Sequence, residues 1–299
     1  MKSLSTLMLS MLLLFTRGAA ALEVFACEPE WGALAQELGG DRLSIYTATS
    51  ALQDPHQVQA RPSLVAQVRK ADLIVCTGAD LESGWMPALL RQGSNDKVRP
   101  GKPGYFAAAD AVQMLEVPTR LDRSEGDVHP YGNPHIQTDP RNIAKVAQAL
   151  AQRLAEIDPA QSAIYAARYQ DFSGRWQQAL QRWEQQAAPL HGMPIVVQHK
   201  SWIYLQAWLG LNEVATLEPK PGIPPSSGHL AAVLEHLHQQ PARMVIHAAY
   251  QDGRSSEWLS KQTGITVVEL PFTVGGDNAA KDLFGLFDST VARLLEAAK

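Results

Sequence analysis

Three histidines stand where a strand gives way to a loop. His56 lies in LQDPHQV, His135 in NPHIQTDP and His199 in VVQHKSW. Two of them directly follow a proline, at Pro55 and Pro134, and Pro140 stiffens the second loop further. Neutral imidazole is a preferred ligand of zinc and its neighbours. A ligand held in place before binding loses little entropy when the metal arrives. Nine histidines occur in the chain, and a lone one is usually a surface or core residue. The shared strand-exit context therefore carries the metal reading, not the number. A fourth histidine, His129, precedes His135 by six residues in GDVHPYGNPHIQTDP, a segment too rich in glycine and proline for helix or strand.

The elements that must position these residues alternate. LEVFACEP, DRLSIYTAT and ADLIVCTG read as strands, with helices EWGALAQELGG, SLVAQVRKA (Pro62 in its first turn) and WMPALLRQ between and after them. This order predicts a parallel sheet covered by helices. PRNIAKVAQALAQRLAEID is a helix opened by a proline. The almost thirty residues that follow carry Ile164, Ala167, Tyr169, Phe172, Trp176, Leu180 and Trp183 at roughly helical spacing. A helix that long spans about 40 Å at about 1.5 Å per residue, more than one lobe needs, and is read as a rigid connector. The alternation then resumes with strands GMPIVVQH, ARMVIHAAY and ITVVELPF and helices WIYLQAWLG, GHLAAVLEHLHQ, SSEWLSKQTG and DLFGLFDSTVARLLEAA. The expected organisation is α/β, with two β/α lobes and parallel sheets: a leader at 1–21, an N-terminal lobe at 22–158, a connecting helix at 159–189 and a C-terminal lobe at 190–299. In open sheets of this kind ligands bind beyond the carboxyl ends of strands, where His199 stands.

The opening MKSLSTLMLSMLLLFTRGAAA has a basic start, a short apolar run and small residues at Ala19, Ala20 and Ala21. It reads as a cleavable secretory signal peptide, too short to span a bilayer. Val24-Phe25-Ala26-Cys27 has the form of a lipidation site, but cleavage there would discard the first strand. Export leaves 24 basic against 30 acidic side chains, a formal charge of −6. With no basic tract, nucleic acid is not an expected partner. Cys27 and Cys76 each close an apolar run. If those runs are neighbouring parallel strands, an oxidising compartment would join them in a disulfide; two buried thiols are the alternative. They lack the close spacing of a zinc site.

DPH at 54–56, NPHIQTDP at 133–140, QH at 198–199 and the stretch ARPSLVAQVRKADLIVCTGADLE, taken together, resemble the zinc- and manganese-binding solute-binding proteins of ABC importers. The resemblance covers the whole mature chain. It implies two lobes joined by a long helix, a metal held between them, and His56, His135 and His199 as ligands. The long His- and acid-rich loop of many zinc members is reduced here to Asp122, Glu125, Asp127 and His129, so His129 is read as a solvated loop histidine or a residual auxiliary site. For the fourth ligand, the late aspartate of manganese-type relatives points to Asp277 in LPFTVGGDNAAKDLFG, where Gly275-Gly276 would let the loop approach. Capping the final helix is its competing role. His247 is the runner-up, and water remains open. Three imidazoles with one carboxylate or water suit zinc, whereas manganese prefers more oxygen.

The function these readings imply is periplasmic zinc capture by a monomer, which delivers Zn2+ as cargo to an inner-membrane ABC permease and its ATPase. The alternatives are the same fold binding manganese or another divalent metal, a metal-buffering protein or adhesin with the same site, and a zinc hydrolase. Against the hydrolase, the sequence holds no HExxH helix, no Gly-x-Ser-x-Gly elbow and no evident general base beside the histidines.

Overall fold

The computed structural model describes residues 21–120, 126 and 128–299. The expected leader, apart from Ala21, and the loop residues Asp122, Glu125 and Asp127 lie outside the described residues. Among the described residues no helix is long and apolar enough to cross a membrane.

The N-terminal sheet consists of β1 (Leu22–Ala26), β2 (Leu43–Thr47), β3 (Leu73–Cys76) and β4 (Tyr105–Ala107), in the order β2-β1-β3-β4, all parallel. Helices α1 (Pro29–Gly39), α2 (Pro62–Lys70), α3 (Met86–Gly93) and α4 (Pro140–Ile157) accompany it. A long helix, α5 (Ser162–Ala187), follows. The second sheet is β5 (Pro194–Val197), β6 (Asn212–Thr216), β7 (Met244–Ala248) and β8 (Thr266–Leu270), again parallel, in the order β6-β5-β7-β8. It carries α6 (Ile203–Leu209), α7 (Ser227–Gln239), α8 (Arg254–Thr263) and α9 (Leu283–Ala297). The central strands β3 and β7 are buried at every position, as strands covered on both faces must be. Proline opens α1, α2 and α4, where its missing N–H costs no helical bond.

The long helix is more than a strut. Its inward face buries Tyr165, Phe172, Trp176 and Trp183 in one apolar core shared by both lobes. Its first half holds the N-terminal lobe, with Arg168 donating to the carbonyls of Gln36 and Glu37 and Arg175 paired with Glu37. Its second half holds the C-terminal lobe, with Arg182 and the Trp183 indole both meeting Asp288 of α9. Trp176 packs edge-on against Phe284 and Phe287 of that same helix.

A second tie crosses between the lobes at Glu30. Its backbone N–H donates to the Thr273 hydroxyl at 3.1 Å, and that hydroxyl donates to the Glu30 carboxylate at 2.5 Å. Burial pushes the Glu30 carboxyl up to about 7, against the pull of the Thr273 bond. A group whose folded pKa is raised adds stability in full below its unfolded value, and loses it as pH rises through the folded one. Relative to a Glu30→Gln variant, the wild-type chain should therefore lose about 3 kcal/mol between pH ~4.5 and pH ~8, since each tenfold difference in proton affinity between folded and unfolded chains is worth about 1.4 kcal/mol. Urea unfolding of both chains at the two pH values measures this, and parallel curves would refute it.

The two cysteines are joined as a disulfide, Cys27–Cys76, because β1 and β3 are parallel neighbours and both end at the same edge. Leu22–Ala26, just before Cys27, forms β1 in the sheet.

Candidate metal centre

His56, His135 and His199 meet between the lobes, and His129 meets them there. His56 sits in the loop after β2. Asp54 fixes it twice, accepting from the His56 backbone N–H at 3.0 Å and facing His56 Nδ1 at 2.8 Å. The Trp85 indole pins the same loop by donating to the Pro55 carbonyl at 2.9 Å. His199 lies two residues past β5, and its Nδ1 faces Glu218 Oε2 at 2.6 Å. Glu218 in turn accepts from the Gly222 backbone N–H.

His135 enters from the loop before α4. Its N–H donates to Asn133 Oδ1, and its carbonyl accepts from the Thr138 hydroxyl. Asn133 then bridges the lobes. Its Nδ2 donates to the Lys200 carbonyl at 2.7 Å, and its own carbonyl accepts from Tyr204 at 2.8 Å. One asparagine thus registers the His135 loop against the residue next to His199.

The rings crowd one place, but stand wider apart than the ligands of one bound ion. Their centroids lie 5.2 Å apart for His56–His135, 5.3 Å for His56–His129, 5.8 Å for His135–His199, 6.1 Å for His56–His199 and 6.4 Å for His129–His135. Zinc binds imidazole nitrogen at about 2.0–2.1 Å, which puts four tetrahedral ring centroids about 5 Å apart. The cluster is therefore slightly wider than a metal would hold it. His56 Nε2 and His135 Nδ1 are buried with no hydrogen-bond partner. Such orphans cost about 1–3 kcal/mol each in a folded protein, and a metal ion would use their lone pairs.

The electrostatics keep His129 and His135 neutral. Burial, with the charges of His56 and His199 adding to it, lowers the His129 pKa to about 4. Burial also holds His135 well below the usual imidazole range, with His56, His199 and His129 adding to the effect. At Asp54 burial pulls upward, but the hydrogen bond and charge of His56 outweigh it and leave the carboxyl lowered. An ionised Asp54 accepts a hydrogen bond from His56 when Nδ1 carries the ring proton, the tautomer that leaves the lone pair on Nε2; carboxylates commonly orient metal-bound histidines in this way. Phe272 covers His135 edge-on at 5.3 Å, and Trp202 and Tyr250 each stand 5.4 Å from Phe272. This wall excludes water from one side. On the other, a cavity of about 100 Å3 reaches His129, His135 and His199 past Glu116, Asn133 and Lys200.

His129 differs from its expected solvated state. It is half-buried, its ring lies against His56, and it lines the cavity. Asp277 is not brought to the cluster; it lines neither that cavity nor the separate one bordered by His56, His199 and Glu218. Its Oδ1 accepts from the backbones of Ala279 and Ala280, while Oδ2 accepts from the Ser289 hydroxyl and the Arg293 guanidinium. Nor does it cap α9, whose N-cap is Asp282. Gly275 and Gly276 pack the loop against Ala51 and Pro271. Replacing Asp277 by alanine should cost about 1–3 kcal/mol of stability, as lost hydrogen bonds to a charged group do, and leave metal affinity unchanged. Urea unfolding beside a chelator competition separates the two effects. His247 is buried in β7, with Nδ1 near the Ala248 carbonyl, and lies outside the cluster.

Two lobes of identical sheet order, with a nitrogen-lined site between them and a long helix behind, define a two-lobe solute-binding protein. The chain belongs to the family described as "ZnuA: Zinc-uptake complex component A periplasmic", whose model matches residues 24–297. Proteins of this family are solute-binding components of transport systems, not enzymes. The chain is 22% identical over 253 residues to the metal ABC transporter substrate-binding lipoprotein SloC of Streptococcus mutans, covering 83% of this chain and 78% of that protein. It is 23% identical over 256 residues to the manganese ABC transporter substrate-binding lipoprotein PsaA of Streptococcus pneumoniae, covering 83% and 78%. The match to ScbA of Streptococcus cristatus, 27% over 148 residues, spans half of this chain and 46% of that protein. In fold, the chain superposes on a crystal structure of ZnuA with a TM-score of 0.76 at 21% identity, covering 93% of this chain and 100% of that one. A manganese-bound mutant form of a periplasmic metal-binding protein from Candidatus Liberibacter asiaticus gives 0.75 at 15% identity, covering 92% and 99%.

Proposed function

We propose that this protein captures one Zn2+ in the periplasm through His56, His129, His135 and His199 and delivers it, as a monomer, to an ABC permease driven by its ATPase. The observation that carries this reading is the four-ring cluster, with two buried nitrogens that have no partner. An all-imidazole set suits zinc, whereas manganese asks for oxygen ligands. The nearby carboxylates Asp54 and Glu218 are engaged with imidazole Nδ1 atoms instead. PsaA carries manganese in its name, so the two metals must be compared directly. Membership of the importer family supports the delivery role, and the apolar segment at 1–21 supports export.

His129 is the discriminating residue. His129→Ala should weaken zinc binding about tenfold or more in competition with a chelating dye, since losing a ligand costs at least what losing its supporting partner does. An affinity equal to wild type would remove His129 from the site and leave three histidines and water.

A further inference from the structure

The two sheets have one topology, and the equivalence extends to their ligand-bearing ends. In each, the strand order reverses between the lobe's first and third strands, β1 and β3 or β5 and β7. Open parallel sheets bind ligands at such points. Cys27 N–H donates to the Val75 carbonyl as Gln198 N–H donates to that of Ile246. Two residues past β5 stands His199, and two residues past β1 stands Glu28.

Around Glu28 lie Cys27, Cys76, Thr77 and Glu82, all buried. The Cys27 and Cys76 sulfurs and a Glu82 carboxylate oxygen lie within 4.8 Å of one another. Glu82 is held in place by the backbone N–H groups of Thr77 and Gly78. Glu28 Oε2 accepts from the Thr77 hydroxyl; its Oε1 is buried and finds no N–H or hydroxyl donor, and the Glu28 and Glu82 carboxyls share a hydrogen bond. The charges acting on Glu28 are those of Glu82 and Glu30, both negative. Burial, followed by those charges, holds the Glu28 carboxyl well above its usual range, and burial pushes Glu82 up to about 7. The place is rich in donor atoms and short of positive charge.

We propose that in the reduced chain Cys27, Cys76 and Glu82 form a second, closed site for a thiophilic divalent cation, with the buried Glu28 carboxyl beside Glu82. The disulfide is the oxidised alternative to this site. Two thiolates with carboxylate oxygen are a donor set that zinc accepts in tetrahedral sites, and the cation supplies the charge that the buried acids lack. Oxidation by a small-molecule disulfide passes two electrons from the thiolates to the reagent. Its S–S bond breaks to two thiolates, the Cys27–Cys76 bond forms, and the cation leaves unchanged in charge. The site is independent of the histidine cluster and of the cargo assigned to it.

The test uses cobalt(II) on the full mature chain, oxidised or reduced with a phosphine under inert gas, and counts retained metal by elemental analysis while recording the near-ultraviolet spectrum. The reduced chain is expected to hold one more cobalt than the oxidised chain and to show a thiolate-to-cobalt charge-transfer band. Glu82→Gln should lose the extra ion and keep the one present in the oxidised chain. A reduced chain that folds only with cobalt, and then shows the band, supports the site equally. Equal metal counts in the two states, or an extra ion without the band, would overturn it. Loss of metal from the oxidised chain alone would count against the histidine cluster and not against this site.

Discussion

Replacing His135 by leucine is expected to weaken zinc binding by more than about a hundredfold while leaving the metal-free fold as stable as before, or about 1 kcal/mol more so. The first effect follows from position. His135 is 1% exposed, its ring lies within 5.2–6.4 Å of three other imidazoles, and its Nδ1 has no protein partner. Second-sphere changes already cost about 10–100-fold in affinity, and the loss of a ligand should exceed that. The second effect follows from the orphaned nitrogen, since an unpartnered buried polar atom costs about 1–3 kcal/mol. Leucine has similar volume and can pack against Phe272, so the exchange removes that cost without opening a large cavity. Chelator competition measures the affinity, and urea unfolding in a metal-free buffer measures the stability. A destabilised apo-protein with near-normal affinity would mark His135 as structural and break the account.

Glu218→Gln is expected to lower zinc affinity by about 10–100-fold with little change in the fold. The wild-type carboxylate faces His199 Nδ1 at 2.6 Å and accepts from Gly222 N–H at 2.8 Å. Glutamine can still accept a hydrogen bond from His199 Nδ1–H through its amide oxygen, so the ring can keep its orientation. What it cannot supply is negative charge, which raises the basicity of the coordinating nitrogen. Asp54→Asn at His56 should behave in the same way, and the pair should add roughly, because each acts through a different histidine. If Glu218→Gln binds zinc like wild type, the carboxylate serves only the loop at 218–222, and charge at His199 is irrelevant to the site.

The residues that the sequence exposed most clearly were those attached to regular structure. His199 follows a strand with a continuous apolar run, and His56 and His135 follow prolines that stiffen their loops. The fold was legible for the same reason: central strands such as LIVC and MVIHA announce themselves by full burial. Two of the four edge strands do not. β4 is three residues long, and β6 reads NEVAT with only partial burial, so neither stands out from a loop until its neighbour is known.

His129 was readable as a residue but not as a neighbour of His56, seventy-three positions earlier. That contact is made through space, and its local signal was only the rigid HPYGNPH turn, where Gly132 adopts φ +106°. Asp277 failed in the opposite way. The glycines before it suggest a loop approaching the cleft, but Ser289 and Arg293, one turn apart on the same face of α9, claim its carboxylate. The buried Glu28 and Glu82 carry no pattern along the chain, because their meeting depends on two parallel strands ending side by side.

The central claim is that four imidazoles hold one zinc ion and prefer it to manganese. Its most direct test is the metal content of the oxidised mature chain, stripped with chelator, offered zinc and manganese together and washed before elemental analysis. One zinc per chain with manganese washed away is the predicted result. Manganese retained in place of zinc, or no metal retained at all, would contradict it.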